Sequence, residues 1–199
     1  MNEKTLLRAV YTTGLLRGTA TLDSISVALG EERATVRKGL VGASKAGLVE
    51  IGRQEVNLTA KGRARLTIVF LGGAFEIIHP GHIHTIAEAK ALGDILVVTV
   101  AADPTVSKNK HRDPVTSQEW RVRLVSSLRD VDAAIPGGKT SIYDTMEKVG
   151  PDIVALGYDQ WHNPKDIEDE AGKRGMKLSV VRLTTPLPGV KTSKIIGAL

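Results

Sequence analysis

The chain has no cysteine, so it can form no disulfide and offers no thiolate as a nucleophile or zinc ligand. This fits a reducing cytosol. Aromatic residues make up only 4% of the chain, which leaves few rings to stack on a flat ligand. Long apolar runs are missing too: no stretch reaches the length of a membrane helix, and residues 1–7 carry no apolar signal-peptide core. Repeats and low-complexity tracts are absent. What remains is 199 residues, 42% hydrophobic and 25% charged, enough for one good core or two modest ones, and a cytoplasmic location is expected.

The net charge of +5 is unevenly spread. Residues 1–66 hold 11 Lys and Arg against 6 Asp and Glu, whereas the rest of the chain holds 16 of each. A basic first third joined to a neutral remainder suggests nucleic-acid contact by the former, or simply a basic solvated face. The pattern there predicts helices over 4–13, 22–29 behind a Thr21 cap, and 33–46 ended by Gly47. Strands at 48–51 and 55–58 around a 52–54 turn then form a small wing, and a short helix follows from Thr59.

From residue 66 onward strands and helices alternate: strands at 66–71, 95–101, 133–135, 153–156 and 178–182, helices at 81–91, 117–127, 141–149 and 164–174. The expectation is an α/β domain with a doubly wound parallel sheet, covering 66–199 after a first domain of 1–65. Ligands in such sheets sit outside the carboxyl ends of the strands where the strand order reverses.

The most informative stretch follows the first of these strands. Residues 72–82 read Gly-Gly-Ala-Phe-Glu-Ile-Ile-His-Pro-Gly-His. Glycines let backbone approach a ligand, and Pro80 suits the first turn of a helix whose N–H groups favour phosphate. His79 and His82, three apart, can face one anion and offset charge developing during phosphoryl attack. The plain alternative is a strand-to-helix turn whose histidines only bond backbone. A zinc site that added His84 would lack cysteine partners, and helical geometry sends His84 elsewhere.

This motif resembles that of the HxGH nucleotidyltransferases, the cytidylyltransferase-like superfamily that includes glycerol-phosphate cytidylyltransferase, phosphopantetheine adenylyltransferase and the archaeal FAD synthases. The likeness runs on through Leu92-Gly-Asp-Ile-Leu-Val-Val-Thr-Val, Asp103-Pro-Thr-Val, Ser117-Gln-Glu-Trp-Arg, Val131-Asp and Pro151-Asp-Ile-Val-Ala-Leu-Gly-Tyr-Asp-Gln. Over the last two thirds it is strongest to archaeal FAD synthase. One departure is plain: where the superfamily usually reads Gly-Thr-Phe-Asp, this chain has Gly73-Ala74-Phe75-Glu76.

The resemblance implies transfer of a nucleotidyl group from ATP or CTP to a phosphorylated acceptor, with Mg²⁺ or another divalent cation and release of pyrophosphate. Such transfer needs positioning and charge neutralisation more than a base. Catalytic candidates are then His79, His82, Arg121 and one or other of Lys108 and Lys110. Nucleotide-binding candidates are Gly72, Gly73, Ala74, Phe75, Gly81, Gly157, Asp159 and Arg182, with Thr192 and Ser193 near the end; no protein metal ligand is assigned. FMN is the favoured acceptor, and a glycerol-phosphate or polyol-phosphate cytidylyltransferase is the alternative, supported by the Arg182 and Thr192-Ser193-Lys194 ending. The scarcity of aromatics leaves Trp120, Tyr158 and Trp161 as rings for a flavin.

The first third resembles a winged helix-turn-helix domain. This implies a third helix presenting Arg33, Thr35, Arg37 and Lys38 to DNA, with Arg53 at the wing tip. Such domains also dimerise, and a homodimer is expected. A reading of another class follows: a transcriptional regulator whose α/β domain senses a nucleotide or flavin without turnover.

Overall fold

The structure is a computed structural model that describes residues 1–138, 140–158, 160, 162–184 and 195. The chain divides into two compact units, Met1–Thr67 and Ile68–Leu199.

In the first unit, helices α1 (Glu3–Arg17), α2 (Leu22–Leu29) and α3 (Arg33–Lys45) precede a hairpin of β1 (Val49–Ile51) and β2 (Val56–Leu58), then a single turn, α4 (Ala60–Arg63). Their ends follow from local chemistry. Thr21 and Ser24 form a reciprocal capping box at the start of α2, and Gly30 closes it in the left-handed region at φ 64°. Helix α1 runs past the expected residue 13 to Arg17, because Gly14 is tolerated inside it and Gly18, at φ 78°, makes the stop. Leu7, Ile25, Val36, Leu48 and Val49 are buried in the core of this unit.

The second unit is a five-stranded parallel sheet in the order β5-β4-β3-β6-β7. Its strands are β3 (Ile68–Gly73), β4 (Ile95–Val100), β5 (Ala133–Pro136), β6 (Ile153–Leu156) and β7 (Ser179–Arg182). Helices α5 (Pro80–Ala91), α6 (Asp103–Lys110), α7 (Gln118–Ser126), α8 (Ile142–Val149) and α9 (Pro164–Lys173) connect them. Burial on both faces explains the continuous apolar runs of β3 and β4. Val69, Leu71, Leu96 and Val98 join one core with Ile86 and Ala89 of α5 and Val125 of α7. The alternate residues Phe70, Gly72 and Thr99 belong to the other face.

Two aspartates close the amino edge of the sheet. Asp152 accepts from the Ile68 N–H and Asp132 from the Leu96 N–H, each at 2.7 Å. The chain leaves β3 outward to β4 and β5, then crosses back to β6 and β7, so the order reverses between β3 and β6.

One helix departs from the expected pattern. Residues 103–110, expected as a loop, form α6, with a proline in its first turn and His111 closing it at φ 54°. A polar octet with no apolar stripe carries little helical signal, yet Val106 buries itself and anchors it.

Candidate active site

The site begins where β3 runs out. Phe75 takes a left-handed φ of 51°, a conformation that a bulky residue keeps only when its surroundings enforce it. Its buried ring folds back over Gly73, where an added Cβ would lie 2.7 Å from the ring. On its other side it meets the His82 imidazole, with centroids 5.2 Å apart. His79 occupies the cap position of α5 without bonding the helix through its side chain. Its ring stacks instead on His82, at 3.9 Å and 22° between planes. Both histidines therefore sit together over the first turn, which Pro80 and Gly81 complete, while His84 lies 3.5 Å from Glu88 on the same helix.

Glu76 was not among the candidates, and the structure gives it a central place. Its side chain has no exposed surface, and it accepts from Lys110 Nζ, from both terminal nitrogens of Arg112 at 2.9 and 3.2 Å, and from the Val115 N–H at 3.3 Å. Burial alone would raise its pKa, but the hydrogen bonds from Arg112 and Lys110 and the charge of Lys110 hold it down at about 2. One carboxylate thus serves two cations, and Lys110, unlike Lys108, lines the cavity described below.

The carboxyl edge of the sheet is cross-linked by four side chains, one for each neighbouring pair of strands. Gln118 donates to Val100 O at 2.8 Å and Gly137 O at 3.0 Å, joining the ends of β4 and β5. Arg121 donates to Ala74 O at 2.5 Å and Ala101 O at 2.9 Å, joining the loops after β3 and β4. Gln160 accepts from the Gly157 N–H and donates to Gly72 O at 2.9 Å, spanning β6 and β3 at the reversal point. Arg182, on β7, holds the loop after β6 through the carbonyls of Gly157, Gln160 and His162. The loops around the site are thereby fixed before any ligand arrives.

This geometry separates the arginine candidates from the histidines. Arg121 is 1% exposed; besides Ala74 O and Ala101 O it serves Thr116 O at 3.1 Å and Asp103 at 2.5 Å. Its guanidinium faces protein acceptors. Arg182 is likewise engaged with backbone. The sequence shows little of this, because most of the acceptors are far along the chain: 18, 20 and 47 residues from Arg121, beside the nearer Thr116, and 20, 22 and 25 from Arg182.

Beside the loop lies a cavity of about 430 Å³. Gly72 and Gly73 reach it from β3, Ala74 from the loop that follows, Thr99 from β4, Gly137 from the loop after β5, and Leu156 from β6. Its walls are mainly apolar, with Phe70, Met146, Val154 and Ile167 among them, and Tyr143 and His162 contribute rings. Burial and the charge of Arg182 lower the His162 pKa. Thr99 is 4% exposed and its hydroxyl has no partner among the described residues. Of the expected flavin rings, Trp120 is 60% exposed with Arg123 over it, and Tyr158 is 38% exposed. Trp161, Asp159, Thr192 and Ser193 lie outside the described residues.

In the first unit, Arg33, Arg37 and Arg53 line a separate cleft with Thr21 and Gln54, between α2, α3 and the hairpin turn. Arg33 pairs with Asp23 at 2.7 Å, and Thr35 and Lys38 are exposed on α3.

The cytidylyltransferase-like family profile matches residues 70–198, which span the stacked histidines and all four cross-linking side chains. The chain belongs to that family. It is a nucleotidyltransferase. A FAD synthase of Aciduliprofundum boonei is 50% identical over 115 residues, 58% of this chain and 76% of the relative. A FAD synthase of Methanosarcina barkeri is 39% identical over 133 residues, 66% and 94% of the two chains. Among solved structures, a lipopolysaccharide core biosynthesis protein from Thermoplasma volcanium superposes on this nucleotidyltransferase with a TM-score of 0.57 at 39% identity, covering 59% of this chain and 96% of that one. A protein of unknown function from Archaeoglobus fulgidus, 19% identical, shares the fold with a TM-score of 0.51 over 63% of this chain and 95% of its own. Among the described residues no helix is long and apolar enough to cross a membrane.

Proposed function

We propose that this nucleotidyltransferase is a FAD synthase: it transfers AMP from ATP to the phosphate of FMN and releases pyrophosphate. The observation that carries this reading is the stacked His79 and His82 at the end of a segment whose start, Gly72 to Ala74, lines an apolar cavity, in a chain 50% identical over 115 residues to a FAD synthase. The FMN phosphate oxygen attacks the α-phosphorus of ATP, and the bond from that phosphorus to the bridging oxygen of pyrophosphate breaks. His79, His82 and the N-terminus of α5 offset the charge that develops, and Lys110, aimed by Glu76, reaches the phosphates. The FMN phosphate is already anionic, so the step needs no general base.

Gly72, Gly73, Ala74, Phe75, Gly81 and Gly157 shape the nucleotide's surroundings in this reading. Arg121 and Arg182 act as positioning residues that fix the loops around it. The described residues include no group of three or more His, Asp or Glu side chains suited to a metal ion. No protein cage is therefore assigned to Mg²⁺, which is proposed to arrive with the triphosphate. The first unit is proposed to bind duplex DNA or to join two copies of the chain.

The test is product formation. ATP, Mg²⁺ and FMN should give FAD and one pyrophosphate per turnover, resolved by chromatography. CDP-polyol from CTP and a polyol phosphate, with no FAD from either nucleotide, would transfer the case to the cytidylyltransferase alternative. Nucleotide or flavin binding without any turnover would favour a sensor.

A further inference from the structure

We propose that Tyr143 is the residue that selects a planar aromatic acceptor, stacking against the flavin ring inside the cavity; this rests on the FMN reading. Three observations lead to it. The cavity's apolar lining suits a flat ring system, and its volume of about 430 Å³ falls in the ordinary range for small-molecule sites. Of the rings that line it, Phe70 is fully covered in the sheet and belongs to the wall, and His162 is an imidazole in the loop after β6, whereas Tyr143 is only half-buried and stands in the first turn of α8.

The third observation is how that ring is held. The guanidinium carbon of Arg174 sits over Tyr143, 5.2 Å from the ring centroid, while Arg174 itself stays outside the cavity lining. Arg174 is fixed in turn by Asp144 at 2.9 Å, Glu147 at 3.2 Å and Glu170 at 3.5 Å, drawn from α8 and α9. Three carboxylates thus surround one cation, and that cation lies over one aromatic ring at the cavity wall. A ring that must meet a flat ligand gains from this arrangement, because its orientation is set before binding and no rotamer freedom is lost on contact.

The test measures FMN and ATP separately on the full chain. Tyr143→Leu should raise KM for FMN about tenfold, with kcat within a factor of two or three and KM for ATP unchanged. Tyr143→Phe should restore the wild-type KM, since stacking needs the ring and not the hydroxyl. FMN fluorescence should be quenched on binding the wild type and Tyr143→Phe, and the quenching should disappear with Tyr143→Leu. Arg174→Met, which releases the ring, should raise KM for FMN about threefold. The proposal is overturned alone if the wild type makes FAD but Tyr143→Leu keeps its FMN affinity and quenching. If the wild type makes no FAD, the FMN reading and the proposal fall together.

Discussion

The rings of His79 and His82 stack at 3.9 Å, with His79 released from capping duty on α5 and His82 backed by the Phe75 ring. Two imidazoles in one stack act on one ligand charge as a unit. His79→Ala and His82→Ala are each expected to lower kcat about a hundredfold, and the double variant should lose far less than the product of the two. Thermal midpoints should barely move. His84→Ala, which removes only the contact with Glu88, should leave turnover near normal. Full activity in both single variants would remove the histidines from the mechanism.

Glu76 gives a stability prediction with a definite sign. Its pKa in the fold is about 2, below the ordinary 4.5, so the fold favours the carboxylate. Its contribution is therefore complete above pH 4.5 and is lost as pH falls toward 2, with a size on the order of 3 kcal/mol. Urea midpoints of the wild type should drop through that window. Glu76→Gln should be less stable at pH 7 and show a flatter profile below pH 4.5; parallel profiles for the two proteins would sever Glu76 from this account.

Neighbouring glycines should respond differently to the same change. At Gly73 an added Cβ would lie 2.7 Å from the Phe75 ring, which is wedged against His82; at Gly72 it would meet Thr99 and Ile142 side chains at 3.3 and 3.4 Å. Gly73→Ala should cost about 1–3 kcal/mol and lower kcat by displacing His82, while Gly72→Ala should be the milder change. Denaturant midpoints and turnover of the two variants, measured side by side, check the order.

Much of this was legible in the sequence because it is local. Alternating strands and helices, the Pro80 start of α5 and the spacing of His79 and His82 are all written within a dozen residues. Glu76 reaches Arg112 across 36 positions, and Arg121 reaches Ala74 across 47. No periodicity encodes such pairings, so the sequence marked Arg121 as a catalytic candidate without its backbone partners, and Glu76 only as a lengthened aspartate. Tyr143 was passed over for a related reason: what distinguishes it is Arg174, which is brought over its ring by the packing of another helix. Helix α6 hid behind its polar composition.

The basic first unit carries the last prediction. If α3 and the hairpin turn engage duplex DNA, the cations that neutralise phosphates release condensed counterions, and affinity must fall steeply with salt. Arg37, Lys38 and Arg53 are the cations for this; Arg33 is partly committed to Asp23, at 2.7 Å. Replacing Arg37 and Lys38 together should weaken binding and reduce the slope of log K against log salt by about 2. Asp23→Ala should act in the opposite direction, because it frees Arg33 for phosphate. Neither change should affect nucleotidyl transfer, whose proposed residues all lie in the second unit. If the full chain fails to bind duplex DNA even at low salt, while disruption of this unit converts a dimer into a monomer, the basic face is an assembly surface and the regulator reading is lost with the DNA.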